Sequence, residues 1–504
     1  MTVVRRNVVA NIVGSGWAVL VSLAFVPIYL SFLGMEAYGL IGIFLTLVAI
    51  LSLLDLGLGT VVNRELARLS VQTGSAQQMR DTLRSLEIVY WVMGALIGVV
   101  IAALSPVVAV HWVKAQQLSQ QTVEQALVII GIAIASQWPL TLYTGGLSGL
   151  QRQVTLNALN VIISTVRNIG AAVVLWQVSS TIEAFLVWQV AMNLLQTFVT
   201  GTVLWRTLPP AGAAKFQFGL LRAVWRFAAG MTGISVMAVV LTQLDKVILS
   251  KVLPLDAFGY YTLAWRVAVG LYQLVGPISA AFFPRFSQLV AANDLQELAR
   301  LYHRSCQVMS VMVLPVTVVL ALFPEEFLLL WTRNASIAEQ SYTLLAMLVI
   351  GTAINGLMTL PLVLQLAHGW TRLVLITNTV AVIILAPMIY FMSLSFGGIG
   401  AASVWITLNC GYLIFMLQLM HRRLLPGHLR QWFLVDVGVP LLAALSVAGL
   451  WRQAIGLTGS YGWMVFNLAV VSVLTAASAA LATPAIRKII VQWFVDAAWR
   501  KMDI

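Results

Sequence analysis

Fourteen apolar runs of about 20 residues each follow one another along this 504-residue chain, and no other feature restricts its fold so severely. A run of that length matches the hydrocarbon thickness of a bilayer, where every backbone N–H and C=O must be satisfied inside the segment itself. Only helices do this for a single uninterrupted run. The runs lie near 8–30, 38–61, 86–110, 125–148, 156–176 and 182–205, then near 227–249, 258–283, 305–330, 340–366, 373–394 and 399–420, and finally near 432–451 and 461–485. The expectation is an all-α polytopic membrane protein of about 14 transmembrane helices. Charged residues make up only 9% of the chain against 60% hydrophobic, which excludes an ordinary soluble domain. The first run, behind Arg5 and Arg6, is longer than a signal-peptide core and is expected to be retained as a helix.

Basic residues test the helix count. When Lys and Arg outside the spans are assigned to alternate sides, one side receives all but Lys114, Lys251, Arg333 and Arg452. Basic loops stay in the cytoplasm, so this asymmetry predicts cytoplasmic N- and C-termini. It also accounts for a net charge of +12 without invoking nucleic acid. Outside connections are short, the longest running from about His111 to Glu124, which leaves no room for an extracytoplasmic domain. The inside connections 62–85, 206–226 and 284–304 are longer and are expected to lie as amphipathic helices on the membrane surface.

The chain also repeats itself. With a shift of 220, Leu253-Pro-Leu-Asp-Ala-Phe-Gly259 falls on Leu33-Gly-Met-Glu-Ala-Tyr-Gly39, pairing Asp256 with Glu36 as carboxylates at the opening of a helix. The repeat divides the chain into an N-terminal lobe 1–226 of six helices, a C-terminal lobe 227–431 of six more, and 432–504 with two helices and a cytoplasmic tail. Duplicated lobes are the habit of secondary transporters, whose sites lie between the copies.

The cationic or paired sites within the spans are few: Arg167, the Asp245–Lys246 pair and Arg266. A charge at the bilayer centre costs about 2.5 to 3.5 kcal/mol on insertion scales. Two accounts of that cost stand side by side. On one, Asp245 neutralises Lys246 or Arg266 and the ions fix helix packing. On the other, Arg167 and Arg266 line a hydrated cavity whose positive field suits an anion, phosphate above all. Asn7 and Asn11, four apart on one helix face with Gly14 and Gly16 beyond, are either lumen-lining or packing positions. Gln137-Trp138-Pro139, Pro277 and Pro361 mark kinks, and Asp55 is free to pair with Arg64 or to stay solvated.

There is no G-x-x-x-x-G-K-[ST], H-E-x-x-H, C-x-x-C or G-x-S-x-G. Neither an enzyme, a metal site nor a bound cofactor is expected, and the coupling ion is left open between H+ and Na+. Five histidines, His111, His303, His368, His421 and His428, fall at helix ends or in loops and read as surface residues.

Four segments resemble one family: PIYLSFLGMEAYGLIGIF, LLDLGLGTVVNREL, GGLSGLQRQVTLNALNVI and QLDKVILSKVLPLDAFGYYTLAWRV. They are similar to Wzx-type polysaccharide flippases, in the superfamily of multidrug, oligosaccharidyl-lipid and polysaccharide exporters. The resemblance implies two six-helix lobes around a central cavity that opens alternately to either side of a bacterial inner membrane. It implies transport of an undecaprenyl-pyrophosphate-linked oligosaccharide, such as an O-antigen repeat unit of lipopolysaccharide, with membrane lipids, a polysaccharide polymerase and other assembly proteins as partners. Arg167, Arg266, Lys246, Asp245 and Asn11 are the substrate-binding candidates, inferred from membrane burial and not from any family motif. A peptidoglycan-precursor flippase and a multidrug/cation antiporter of the same superfamily are the alternative readings. The second would need acidic residues where this chain carries mostly basic ones.

Overall fold

The computed structural model describes residues 3–55, 57–456, 459–488 and 492, with the side chains of 3–9, 12, 220–235 and 238 excepted. Nineteen helices follow in order: α1 (Val3–Leu51), α2 (Leu58–Leu69), α3 (Ala76–His111), α4 (Gln120–Gln137), α5 (Leu140–Gly149), α6 (Gln153–Gln177), α7 (Ile182–Thr207), α8 (Phe218–Val252), α9 (Leu255–Ala268) and α10 (Tyr272–Ala291). They continue with α11 (Leu295–Leu322), α12 (Pro324–Thr332), α13 (Ala335–Leu357), α14 (Thr359–Ala367), α15 (Thr371–Gly411), α16 (Leu417–Leu424), α17 (Leu429–Gln431), α18 (Val439–Ala454) and α19 (Tyr461–Ala482). Among the described residues there is no strand, only one isolated bridge between Lys114 and Pro254. Eleven helical stretches among them are long and apolar enough to cross a membrane. Gly34 and Gly397, both at positive φ, interrupt α1 and α15, each of which runs through two of the expected spans. Part of α8 lies outside the described side chains.

Several breaks sit where the chain announces them. α4 ends at Gln137 and α5 begins after Trp138-Pro139. α13 stops at Leu357, and Pro361, four residues on, falls in the first turn of α14. A proline cannot donate to the preceding turn and its ring crowds the carbonyl behind it, so a helix either bends there or restarts.

The fold divides into two compact units, Met1–Gly259 and Tyr260–Ile504. In the first, α2 is amphipathic, with Val61, Val62, Leu66 and Leu69 turned into a core shared with Met79, Leu83, Leu86 and Tyr90 of α3, Leu142, Tyr143 and Leu147 of α5, and Leu204 of α7. Residues 76–85, expected in a surface segment, are instead the first turns of α3, and Asp81 there is buried. Its carboxylate accepts from Lys215 N at 2.8 Å and Gln217 Nε2 at 2.7 Å, tethering the 213–217 segment. Asp55 does not pair with Arg64: it accepts from the Tyr90 hydroxyl and from Gly59 N at 3.3 Å.

The two copies of the repeat meet inside the first unit. A Cβ placed on Gly39 would overlap the Leu255 carbonyl oxygen, and one on Gly259 would overlap the Met35 carbonyl oxygen. Each glycine thus admits the backbone of the other copy, a reciprocity that two unrelated hairpins would have no reason to show. The 112–119 connection clasps this crossing. Glu36, 4% exposed, accepts from Gln116 N at 2.6 Å, Gln117 N at 2.9 Å and Leu118 N at 2.8 Å. From the other side, Leu255 N donates to Lys114 O at 2.9 Å and Trp112 Nε1 donates to Ser250 Oγ at 3.0 Å. An amide has one acceptor oxygen where a carboxylate has two, so Glu36→Gln leaves backbone donors unsatisfied. We expect about 2 to 4 kcal/mol of destabilisation from hydrogen bonds of this charged kind, measured as a lower thermal unfolding midpoint; an unchanged midpoint would show the clasp to be idle.

In the second unit, α11 is the central element, burying His303, Cys306, Gln307, Met309, Val313, Leu314 and Val318 among others. Ala444 and Ala448 of α18 and Val471 and Ala479 of α19 pack against its far end. Small residues on those helices let their backbones approach closely, the usual basis of helix association in lipid. A polar seam runs through the same unit: Tyr272 Oη donates to Asn355 Oδ1 and Asn355 Nδ2 to Asn409 Oδ1, both at 2.8 Å.

Candidate functional site

Arg167 stands near the middle of α6 and its guanidinium points at α7. Nη1 donates to Asn193 Oδ1 at 2.6 Å and Gln189 Oε1 at 3.2 Å, and Nη2 donates to Gln196 Oε1 at 2.8 Å. Positions 189, 193 and 196 lie on one helical face, so α7 supplies a row of amides matched to the fork of the guanidinium. The row is itself held: Asn193 Nδ2 donates to Ala133 O at 3.0 Å and Gln196 Nε2 to Asn160 Oδ1 at 3.2 Å. Trp188 Nε1 donates to the Arg167 carbonyl at 2.9 Å, fixing the backbone as well.

These partners are neutral. No carboxylate forms an ion pair with Arg167 among the described residues. The amides take three hydrogen bonds from the guanidinium but leave its charge uncompensated in an apolar span, where a positive charge without an anion is costly. That charge borders a cavity of about 220 Å³ lined by Gly14, Ser15, Asn157, Asn160, Ser164 and Gln196 along with Arg167. Six of its eight lining residues carry polar side chains, Gly14 and Ala18 being the exceptions, and none is acidic, so the only charge on its wall among the described residues is that of the arginine.

Asn11 reaches this wall at one remove: Asn157 Nδ2 donates to Asn11 Oδ1 at 2.5 Å. The side chain of Asn7 lies outside the described residues. Gly14 is a packing position, since a Cβ there would stand 2.5 Å from Asn157 Oδ1. Asp245 and Lys246 are both buried, and Lys246 Nζ donates to Asp245 Oδ1 and Oδ2 at 3.0 Å and to Thr242 O at 2.7 Å. The two charges offset one another within the pair. Arg266 is half-buried in α9, within the second unit, and is engaged in an interaction of its own.

The histidines depart most from what the sequence suggests. Three of the five converge in the second unit, His303 from far along the chain and His421 and His428 from one connection. His303 Nδ1 bonds to Asp436 Oδ2, His303 Nε2 stands 2.9 Å from His428 Nδ1, and His421 packs edge-on to Tyr302. Asp436 is fully buried in a π-helical segment, Trp432–Gly438; such wide turns are frequent at functional sites. Gln307 Nε2 donates to its other oxygen at 2.8 Å while Gln307 Oε1 accepts from Ala485 N at 2.9 Å, which fixes the amide orientation. Burial, and then the facing His303 ring, lower the pKa of His428 below the ordinary imidazole value. No group of three or more His, Cys, Asp or Glu among the described residues is arranged to hold a metal ion.

Comparison with known proteins agrees with the fold. Residues 31–332 match the family described as polysaccharide biosynthesis protein. A relative from Shigella flexneri, named "Putative O-antigen transporter", is 23% identical over 402 residues, covering 79% of this chain and 93% of its own. Among solved structures, lipid II flippase MurJ in an inward closed conformation is similar with a TM-score of 0.70 and 13% identity, over 93% of this chain and 97% of that one. An inward-facing multidrug resistance MATE family transporter of the MOP superfamily is similar at 0.65 and 14%, over 80% and 95%.

Proposed function

The chain belongs to the polysaccharide biosynthesis protein family, and from that premise we propose that it is a flippase of a bacterial inner membrane, carrying an undecaprenyl-pyrophosphate-linked oligosaccharide from the cytoplasmic to the outer leaflet. The observation that carries this reading is the uncompensated charge of Arg167, held by Gln189, Asn193 and Gln196 beside a polar cavity. A guanidinium already positioned by neutral amides keeps its full attraction for an arriving anion. In a partly desolvated wall that attraction exceeds its value in water, and the planar fork suits phosphate oxygens.

The division of labour follows from the chemistry of such a molecule. The pyrophosphate is drawn by Arg167, the sugar hydroxyls exchange hydrogen bonds with Asn157, Asn160, Ser164 and, through Asn157, Asn11, and the polyprenyl chain remains in lipid. Arg266 is proposed as a further cationic contact for the cargo. Lys246 and Asp245, each neutralising the other, set the local field and the packing of α8 and are not direct ligands. H+ or Na+ would supply the driving force. A cationic site is ill suited to a drug cation, which favours the lipid-linked anion over the antiporter alternative.

Cells lacking the protein test the reading directly. They should stop displaying the polysaccharide at the surface and accumulate its undecaprenyl-pyrophosphate-linked repeat unit in the inner leaflet, and a plasmid copy should restore both. Normal surface polysaccharide in the deletion strain would refute the assignment.

A further inference from the structure

The second unit contains a cavity that the transport reading does not use. It measures about 1060 Å³ and is lined by Arg300, Arg304, Lys488, His303, His428 and Gln307 among others, with no carboxylate among the described residues of its wall. It lies where α11 begins and α19 has ended, at the end of the unit that carries Arg422, Arg423, Arg430 and Arg487. Basic residues at helix ends are ordinary in a membrane protein. A concavity that gathers them around two oriented imidazoles is not.

We propose that this cavity binds a phosphate group, carried either on an acidic lipid or on a free phosphate ester, with Arg304, Lys488 and His428 as its contacts. The charges support it. Arg300 is engaged by Glu297 at 2.9 Å, and Glu297 is not part of the wall. Arg304 and Lys488 are exposed and form no ion pair among the described residues. Among the described residues no carboxylate on the wall balances them, and a dianionic group is the chemistry that two such cations take.

The imidazoles are arranged for the same ligand. Asp436 receives the Gln307 amide on one oxygen, and on the other the His303 Nδ1–H. With both donors in place the carboxylate is held as an acceptor, and the Nε2 lone pair of His303 is turned outward to accept from His428 Nδ1. That leaves His428 Nε2 as the edge offered to the cavity. A proton taken up there makes His428 a donor to the phosphate, and the charge is relayed through His303 to the buried carboxylate. A carboxylate behind an imidazole fixes its tautomer and ring orientation in the same way in many metal sites. The volume is ample for a headgroup, being at the upper end of small-molecule pockets.

This inference does not depend on what the protein transports. The purified full chain in nanodiscs would be titrated with inorganic pyrophosphate by calorimetry, and lipid retention scored by native mass spectrometry for phosphatidic acid against phosphatidylcholine. The wild type should bind pyrophosphate, retain phosphatidic acid in preference, or both. Retention of phosphatidic acid alone identifies a lipid headgroup as the source, and pyrophosphate binding alone a free ester. R304Q with K488Q should weaken whichever is bound by at least about tenfold, the loss typical of charge-assisted contacts, and H428Q by about threefold or more. Failure of the wild type to bind either, or equal binding by wild type and the R304Q/K488Q double variant, would overturn the proposal.

Discussion

Arg167→Ala should abolish translocation while the protein still inserts and folds: at least about a hundredfold less lipid-linked repeat unit should reach the outer leaflet. Removing one partner of a desolvated charge interaction costs about 2 to 5 kcal/mol, and every 1.4 kcal/mol is roughly a factor of ten. Folding should survive because Arg167 has no ion-pair partner to strand among the described residues. The amides of Gln189, Asn193 and Gln196 would lose one acceptor contact each, and they border a polar cavity where water can replace the guanidinium. Arg167→Lys separates charge from shape. It keeps the positive field but cannot reach three amides at once or grip phosphate with two parallel N–H bonds, so it should retain a small fraction of activity. Full activity in the alanine variant would assign Arg167 to packing. Membrane abundance measured alongside transport distinguishes that outcome from loss of protein.

The second large effect is on the fold. Gly39→Val and Gly259→Val should each prevent accumulation of folded protein, because the atom that a new Cβ would meet is backbone: the carbonyl of Leu255 in one case and of Met35 in the other. A flexible side chain could rotate away; a carbonyl in a packed crossing cannot move without its helix. Overpacking usually costs about 1 to 3 kcal/mol and more where nothing yields, and here the strain falls where the 112–119 connection is also anchored by Glu36. The reciprocity makes the prediction sharper: the two variants should fail alike. Normal yield and an unchanged melting profile in either would mean that the copies do not cross as closely as the structure has them.

That crossing was half visible beforehand. Pairing Leu33–Gly39 with Leu253–Gly259 shows two equivalent glycines and two equivalent carboxylates, but nothing in a one-dimensional match says that each glycine makes room for the other copy. The carboxylates then diverge. Glu36 takes three N–H groups from a distant connection, whereas Asp256 takes only the neighbouring Ala257 N at 2.7 Å, so a shared position in a repeat did not confer a shared role. Helices and proline breaks were legible for the plainest reason, that lipid permits few alternatives. Surface-lying connections were not: residues 76–85 are polar enough for the interface, yet Asp81 and Ser85 find backbone partners and the segment continues α3.

For the site, single charges in apolar runs were easy to notice, and Arg167 was the most isolated of them. Its cradle was overlooked although it leaves a trace: Gln189, Asn193 and Gln196 are uncharged and so carry no topological signal, but they recur at helical spacing within one apolar run. The His303–Asp436–His428 chain leaves a fainter trace: Asp436 is a carboxylate within the run near 432–451, but His303 is 125 residues from His428 and 133 from Asp436, and each histidine, taken alone, is unremarkable. Only the packing of α11 against the turns around Trp432 brings them together.

The central claim is that a phosphorylated head group is what the buried arginine recognises. It is tested most directly in proteoliposomes that contain only the purified protein, by following the transbilayer passage of a fluorescent undecaprenyl-pyrophosphate-linked oligosaccharide beside the same glycan on an uncharged lipid. The account predicts rapid passage of the first, little of the second, and neither with Arg167→Ala. Equal passage of both lipids, or passage of the pyrophosphate form undiminished in the alanine variant, would contradict it.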